Sequence, residues 1–246
     1  GSLDLPLHDA ALIPEEYIES VIHDDIYHVD RTKRDPHKLI LLLRSLARNE
    51  STTVSNKKLL RDVRTFDDDT IDENTISDYL SILRRLFLID NLRPFSTSIR
   101  SSTRIKQAEK RQFVDPSLAS ALLKVTPDRL IADLNTLGFL FESLCARDLK
   151  IYAEAIDAQI YHYQDYKNRE IDVVIEAADG QWAAIEIKLG ANDIDAAANN
   201  LISLRDALSE ESDSFPTVLC VISGLSNAAY QREDGVYVVP ITALRD

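Results

Sequence analysis

The sequence predicts a mixed chain, α+β overall, with helices first and an α/β sandwich after them. Apolar residues repeat at helical spacing from residue 35 to about residue 87. Strand-like runs at 159–163, 170–176 and 182–187 follow a helical pattern that starts at residue 128. Two further short apolar runs, 217–223 and 236–239, lie beyond another helical stretch. That order of helix, three strands, helix, strand, strand is the pattern of a sandwich with a mixed sheet.

Residues 1–34 read as a polar lead-in with one short helix over 14–22, in which Pro14 suits the first turn and Glu15 and Glu16 complement its dipole. Asp35-Pro36 reads as an N-cap and first helical residue, and Leu39, Leu42, Leu43 and Leu46 give that helix one apolar face. Ser55 opens a second helix through Leu59, Leu60 and Val63. Residues 68–70 are expected to cap a third, carried by Ile71, Ile76, Tyr79, Leu80, Leu83 and Phe87. A strand at 88–92, a loop rich in Ser, Thr and Arg at 96–102, and a returning strand at 112–114 ended by Asp115-Pro116 then read as a wing. Three short helices and a two-stranded wing make a winged helix-turn-helix over 35–127.

From 128 to 149 one long helix is expected, with Gly138 inside it marking close packing against a neighbour. Residues 178–180 (Ala-Asp-Gly) read as the hairpin turn between the second and third strands. Residues 194–208 are helical again, and the second domain spans 128–246.

Bulk properties narrow the function classes. At roughly 100–200 residues per domain, 246 residues make one large domain or two modest ones. No apolar run approaches the roughly 20 residues of a membrane span, and no secretory signal is present, so a cytoplasmic protein without a membrane partner is expected. Cys145 and Cys220 lie far apart in apolar patterns and read as free buried thiols; no paired Cys/His spacing supports zinc. Gly1-Ser2 looks like an expression scar and methionine is absent, so a fragment with more chain upstream is expected.

Charge is uneven. Residues 1–127 carry 19 basic and 20 acidic residues, a net of −1; residues 128–246 carry 9 and 21, a net of −12. Within the first part, residues 84–111 carry eight basic and two acidic residues. Any nucleic acid is therefore expected at this middle segment, through Arg100, Arg104, Lys106, Lys110 and Arg111. Asp72, Glu73 and Asp78 near the start of the third helix are unfavourable for phosphate there.

The chemistry is concentrated in two runs, Glu170-Ile171-Asp172-Val173-Val174-Ile175 and Ala184-Ile185-Glu186-Ile187-Lys188. Alternate strand side chains share a face. Ile171, Val173 and Ile175 then point one way and Asp172 the other; Glu186 and Lys188 stand opposite Ile185 and Ile187. Paired strands would bring Asp172, Glu186 and Lys188 together. Two carboxylates suit Mg²⁺, and a lysine beside them can orient or deprotonate an attacking water. Tyr161, Tyr163 and Tyr166 read as strand packing and His162 as a surface histidine.

This arrangement resembles the PD-(D/E)XK nuclease superfamily: an acid on one strand, Glu-x-Lys on the next, and a Glu on the preceding helix, supplied here by Glu142 in Gly138-Phe139-Leu140-Phe141-Glu142. The resemblance implies a restriction-endonuclease-like sandwich, Asp172 and Glu186 as metal ligands with the Ile187 carbonyl, Lys188 as catalytic lysine, and Glu142 as a further metal or water contact. The implied cofactor is Mg²⁺, which Mn²⁺ can replace.

With Tyr161-His162-Tyr163, the basic stretch from Lys110 to Pro116 and the lead-in at 17–25, the order of motifs over about 14–241 is similar to one uncharacterised domain family. Its members follow AAA-type P-loop ATPase cores in bacteria and archaea. The resemblance implies an upstream ATPase core as partner in the same full-length chain. The present sequence has no G-x-x-x-x-G-K-[ST] loop, so ATP binding belongs to that core. Two functions are expected to compete: Mg²⁺-dependent cleavage of DNA controlled by the ATPase, or a degenerate nuclease fold that binds DNA or protein.

Overall fold

The computed structural model describes residues 4–65, 71–97, 107–165, 167, 169–211 and 214–244. Its internal contacts divide it into two units, Gly1–Asn91 with Arg111–Ser143, and Leu92–Lys110 with Leu144–Asp246. The chain is mixed α and β, with a six-stranded mixed sheet. Among the described residues no helix is long and apolar enough to cross a membrane.

The first unit is helical. It opens with α1 (Leu7–Ser20), a π-helical turn (Val21–Asp25) and α2 (Ile26–Asp30). Pro14 lies inside α1 rather than at its start. Proline's preference for the first turn is only a tendency, and here the helix runs through it. α3 (Pro36–Arg48) starts where Asp35-Pro36 places it: the Asp35 carboxylate accepts from His37 N at 2.9 Å and Lys38 N at 3.4 Å. Removing this cap in Asp35→Ala is expected to cost about 1 kcal/mol, measured by urea unfolding.

α4 (Asn56–Arg64) is capped by Ser55 and α5 (Glu73–Arg85) by Asp72. The cap expected at 68–70 lies outside the described residues. Helix α6 (Pro116–Leu123) is absent from the sequence expectation, although Asp115-Pro116 repeats the Asp35-Pro36 signature. It packs against α1 and α3. Leu39, Leu42, Leu43, Leu59, Ile76 and Leu83 are at the centre of the core.

The segments expected to pair as a two-stranded wing meet more sparsely. Ile89 bridges Phe113 and Thr52 bridges Arg111 as isolated pairs, while Asp90 N donates to Gln112 O and Val114 N to Leu88 O. The single helix expected from residue 128 is two, α7 (Pro127–Ala132) and α8 (Leu134–Ala155). Asp133 breaks them, and its carboxylate accepts from Thr136 N and Thr136 Oγ1 at 3.2 and 2.6 Å, the geometry of an N-cap. Gly138 does not serve close packing; a Cβ there would meet nothing within 4 Å.

In the second unit the strands β1 (Gln159–Gln164), β2 (Glu170–Glu176), β3 (Trp182–Lys188), β4 (Val218–Ser223), β5 (Tyr230–Gln231) and β6 (Tyr237–Pro240) form one sheet in the order β1-β2-β3-β4-β6-β5. β1, β2 and β3 are antiparallel neighbours, β3, β4 and β6 parallel ones, and β5 is a short antiparallel edge. The hairpin turn expected at 178–180 forms, closed by Ala177 N donating to Gln181 O and with Gly180 at φ +84°. α9 (Ile194–Glu211) connects β3 to β4 and packs on both. Its Ile194, Ala198, Leu201 and Leu204 meet Ala184 and Val221 of the sheet.

The outer edge of β1 is covered. Phe95 N donates to His162 O and His162 N to Arg93 O, so residues 93–95 lie along β1 and hide its edge. Phe95 then packs against Trp182 and Tyr161, with ring centroids 4.8 and 5.7 Å apart.

Candidate active site

Strand register sets the site. Val173 pairs with Ile185 and Val174 with Ala184, so the antiparallel ladder carries Asp172 toward Glu186. Between β1 and β2 the register slips: Tyr161 faces Val174 and Tyr163 faces Ile171. Two residues of β2, Asp172 and Val173, thus oppose one residue of β1, His162. Such bulges re-aim side chains. Ile171 and Val174 accordingly enter the same core cluster, which strict alternation along 171–175 forbids.

Asp172, Glu186 and Lys188 converge. Lys188 Nζ lies 2.7 Å from Glu186 Oε2 and 3.5 Å from Asp172 Oδ2. The Ile187 amide donates to Asp172 Oδ2 at 2.9 Å. Asn200 of α9 donates to Glu186 Oε1 at 3.1 Å. The Glu186 side chain is 6% exposed and that of Lys188 31%, so the lysine is the open side of the cluster.

A fourth member comes from far upstream. Lys110 Nζ stands 3.5 Å from Asp172 Oδ1, with its side chain 10% exposed. Asp172 therefore has an ammonium at each oxygen.

Electrostatics separate the two acids. Burial pushes Glu186 up to about 7 and the charge of Asp172 adds to it, against the pull of Lys188 and Asn200. Burial would also raise Asp172, but Lys110, Lys188, the Ile187 amide and a hydrogen bond from Glu186 together hold it below the usual carboxylate value. The pair thus holds one firmly ionised carboxylate beside one that shares a proton near neutrality.

Among the described residues no group of three His, Cys, Asp or Glu is placed to hold a metal. Two buried carboxylates still fit Mg²⁺, which commonly takes one or two protein carboxylates and completes its shell with water and substrate phosphate. The raised Glu186 also fits, because a cation beside it would relieve its repulsion from Asp172.

Glu142 stands half-buried on α8 in the first unit, where its charge bears on Glu50. Arg111 is buried; its N donates to Thr52 O and its Nη2 to Asn56 Oδ1, each at 2.8 Å. Arg100, Arg104 and Lys106 lie outside the described residues.

His162 is not on the surface. It is 1% exposed, its Nε2 is 3.2 Å from Ala108 O, and burial followed by the charge of Lys110 lowers it to about 4. It is neutral at pH 7, and donation to a carbonyl requires the proton on Nε2. Covering of the β1 edge, which periodicity does not report, buries it. Tyr161 and Tyr163 are buried as strand packing, while Tyr166 lies outside the described residues.

Cys145 and Cys220 are free, and burial raises the Cys220 thiol to about 12. Two of the acids at the third helix have work within the fold: Asp72 caps α5, and Asp78 pairs with Arg34 through two contacts at 2.9 and 3.0 Å.

Residues 5–129 match a domain of unknown function (DUF8612), just over half of the 246 residues, and the chain belongs to that family. Residues 137–244, which contain the whole sheet with Asp172, Glu186 and Lys188 but not Lys110, match a second domain of unknown function (DUF4143). No curated protein and no solved structure gives a significant match.

Proposed function

We propose that the second unit is a nuclease-like module of PD-(D/E)XK type that hydrolyses DNA phosphodiesters with Mg²⁺, and that an ATPase core upstream in the full-length protein controls it. The observation that carries this reading is the convergence of Asp172, Glu186 and Lys188 within 2.7–3.5 Å, with Lys188 on the open side. Asp172 and Glu186 would hold the cation together with the Ile187 carbonyl. Bound there, it would acidify a water and offset charge on the scissile phosphate. Lys188 orients the attacking water. The Ile187 amide and Asn200 hold the two carboxylates in place, which is the support a preorganised site needs. The basic run at 84–111 would supply the DNA contacts, with Arg100, Arg104 and Lys106 as the phosphate-binding residues.

A second reading has its own observation. Lys110 and Lys188 already neutralise Asp172, as in a degenerate site that has become a binding module for DNA or protein. Titration of Mn²⁺ into the wild type and Glu186→Gln, with and without a phosphorothioate duplex, separates the two. Saturable binding that weakens at least tenfold in Glu186→Gln supports the hydrolase, together with Mg²⁺-dependent cleavage lost in Lys188→Met. Salt-sensitive DNA binding with no metal uptake, even on the duplex, supports the binding module.

A further inference from the structure

The basic run at 84–111 groups Lys110 with residues that meet nucleic acid from outside, but the structure turns it inward. Its backbone is clamped: Lys110 N donates to Leu92 O and Leu92 N to Lys110 O, each at 3.0 Å. The chain that follows Leu92 is in turn fastened to β1 at Arg93 and Phe95 through His162. The ammonium is therefore delivered by paired backbone rather than by a free arm. A buried ammonium is costly unless paired, and this one has an acid at 3.5 Å.

The pairing pattern is economical in charge. Lys188 makes its short contact, 2.7 Å, with Glu186 and a longer one with Asp172 Oδ2. Lys110 takes the other oxygen of Asp172. Each carboxylate so has its own cation, and Asp172, the acid that would anchor a metal, meets a different ammonium at each oxygen. In two-cation phosphodiesterases the second ion sits on a shared carboxylate and stabilises the oxygen on the far side of the phosphate.

We propose that Lys110 is that second cation, built into the chain, so that the site is complete with one divalent ion and Lys110 contacts the phosphate of the bound strand. The inference rests on the metal-dependent reading above. It also gives the paired backbone at Leu92 and Lys110 a direct part in the chemistry: whatever holds that pairing sets the charge at the site.

The test is to count Mn²⁺ ions and measure their affinity on the full chain, with and without a phosphorothioate duplex, for the wild type, Lys110→Met and Lys110→Arg. Far-UV circular dichroism checks the fold. The wild type and Lys110→Arg should each take one ion. Lys110→Met, which keeps the stem and loses the charge, should bind the first ion at least tenfold more tightly or accept a second. Its kcat should fall at least a hundredfold with KM little changed, and Lys110→Arg should restore part of it.

An unchanged ion count and affinity in Lys110→Met, where the wild type binds one ion, overturns the inference and leaves the metal reading standing. Two ions on the wild type overturn it as well. No ion on the wild type or any variant overturns the metal reading, and this inference with it. If Lys110→Met does not fold, Lys110→Gln answers the same question with a polar, neutral side chain.

Discussion

Asp172→Ala is expected to lower the stability of the second unit by about 3 kcal/mol at pH 7, without any metal or substrate present. The substitution removes the acid that the Ile187 amide meets at 2.9 Å and the ammonium groups of Lys110 and Lys188 each meet at 3.5 Å. Removing one partner of a buried ion pair costs about 3–5 kcal/mol because the other charge is left uncompensated. The low end applies because Glu186, freed from the repulsion of Asp172, ionises and takes up part of the positive charge.

Asp172→Asn should cost less, since its amide oxygen can still accept from Ile187. In Lys110→Met/Asp172→Ala the loss should be smaller than the two single losses added, which a double-mutant cycle reads directly. The probe is built in: the one tryptophan, Trp182, is buried in the core of the second unit. Urea unfolding followed by its fluorescence therefore reports this unit. A midpoint for Asp172→Ala equal to that of the wild type would show that the acid is not paired as described.

The same cluster shows what the sequence could reveal. Asp172, Glu186 and Lys188 were legible because strand alternation is local: residue types two apart share a face, and a seven-residue run is enough to see it. The strands were legible for the same reason, and α9 from its own helical period.

Lys110, expected only as a contact for nucleic acid, was not legible as a partner of Asp172, because 62 positions separate the two and no periodicity reports which distant backbone a strand meets. Asn200 was hidden likewise, on a helix of which the sequence shows only the helical period. The burial of His162 follows from neighbours of β1, residues 93–95 and Ala108, that lie far away in the chain.

The local misses had signals. Asp115-Pro116 announces α6 as plainly as Asp35-Pro36 announces α3, and Asp133 with Thr136 three residues on is a capping pattern that ends one helix and begins the next. In these places an unbroken apolar rhythm, or the end of a strand, masked the cap.

Glu50 provides the second large effect, and it depends on pH. This acid, 3% exposed, follows α3 in the first unit and joins two other segments: Oε1 accepts from Ser143 Oγ at 2.6 Å, and Phe113 N donates to both oxygens at 3.1 and 3.3 Å. Burial raises it from 4.5 to about 8; Ser143 and Phe113 oppose the rise, and the charge of Glu142 adds to it. The folded chain keeps this proton up to about pH 8, whereas the unfolded chain releases it near 4.5. Between those values the folded state binds more protons, so stability falls as pH rises through the window and levels off above it.

The gap corresponds to a loss of up to about 5 kcal/mol at pH 9 relative to pH 4. Glu50→Gln keeps an acceptor for Phe113 and Ser143 and cannot ionise. It should match the wild type near pH 5 and exceed it by several kcal/mol at pH 9, in urea unfolding followed by far-UV circular dichroism. Taking the difference between variant and wild type at each pH removes the contributions of Glu186 and His162, which titrate in the other unit. A difference that stays constant from pH 5 to pH 9 would mean that Glu50 ionises normally inside the fold, and that its hydrogen bonds to Ser143 and Phe113 outweigh the cost of burial.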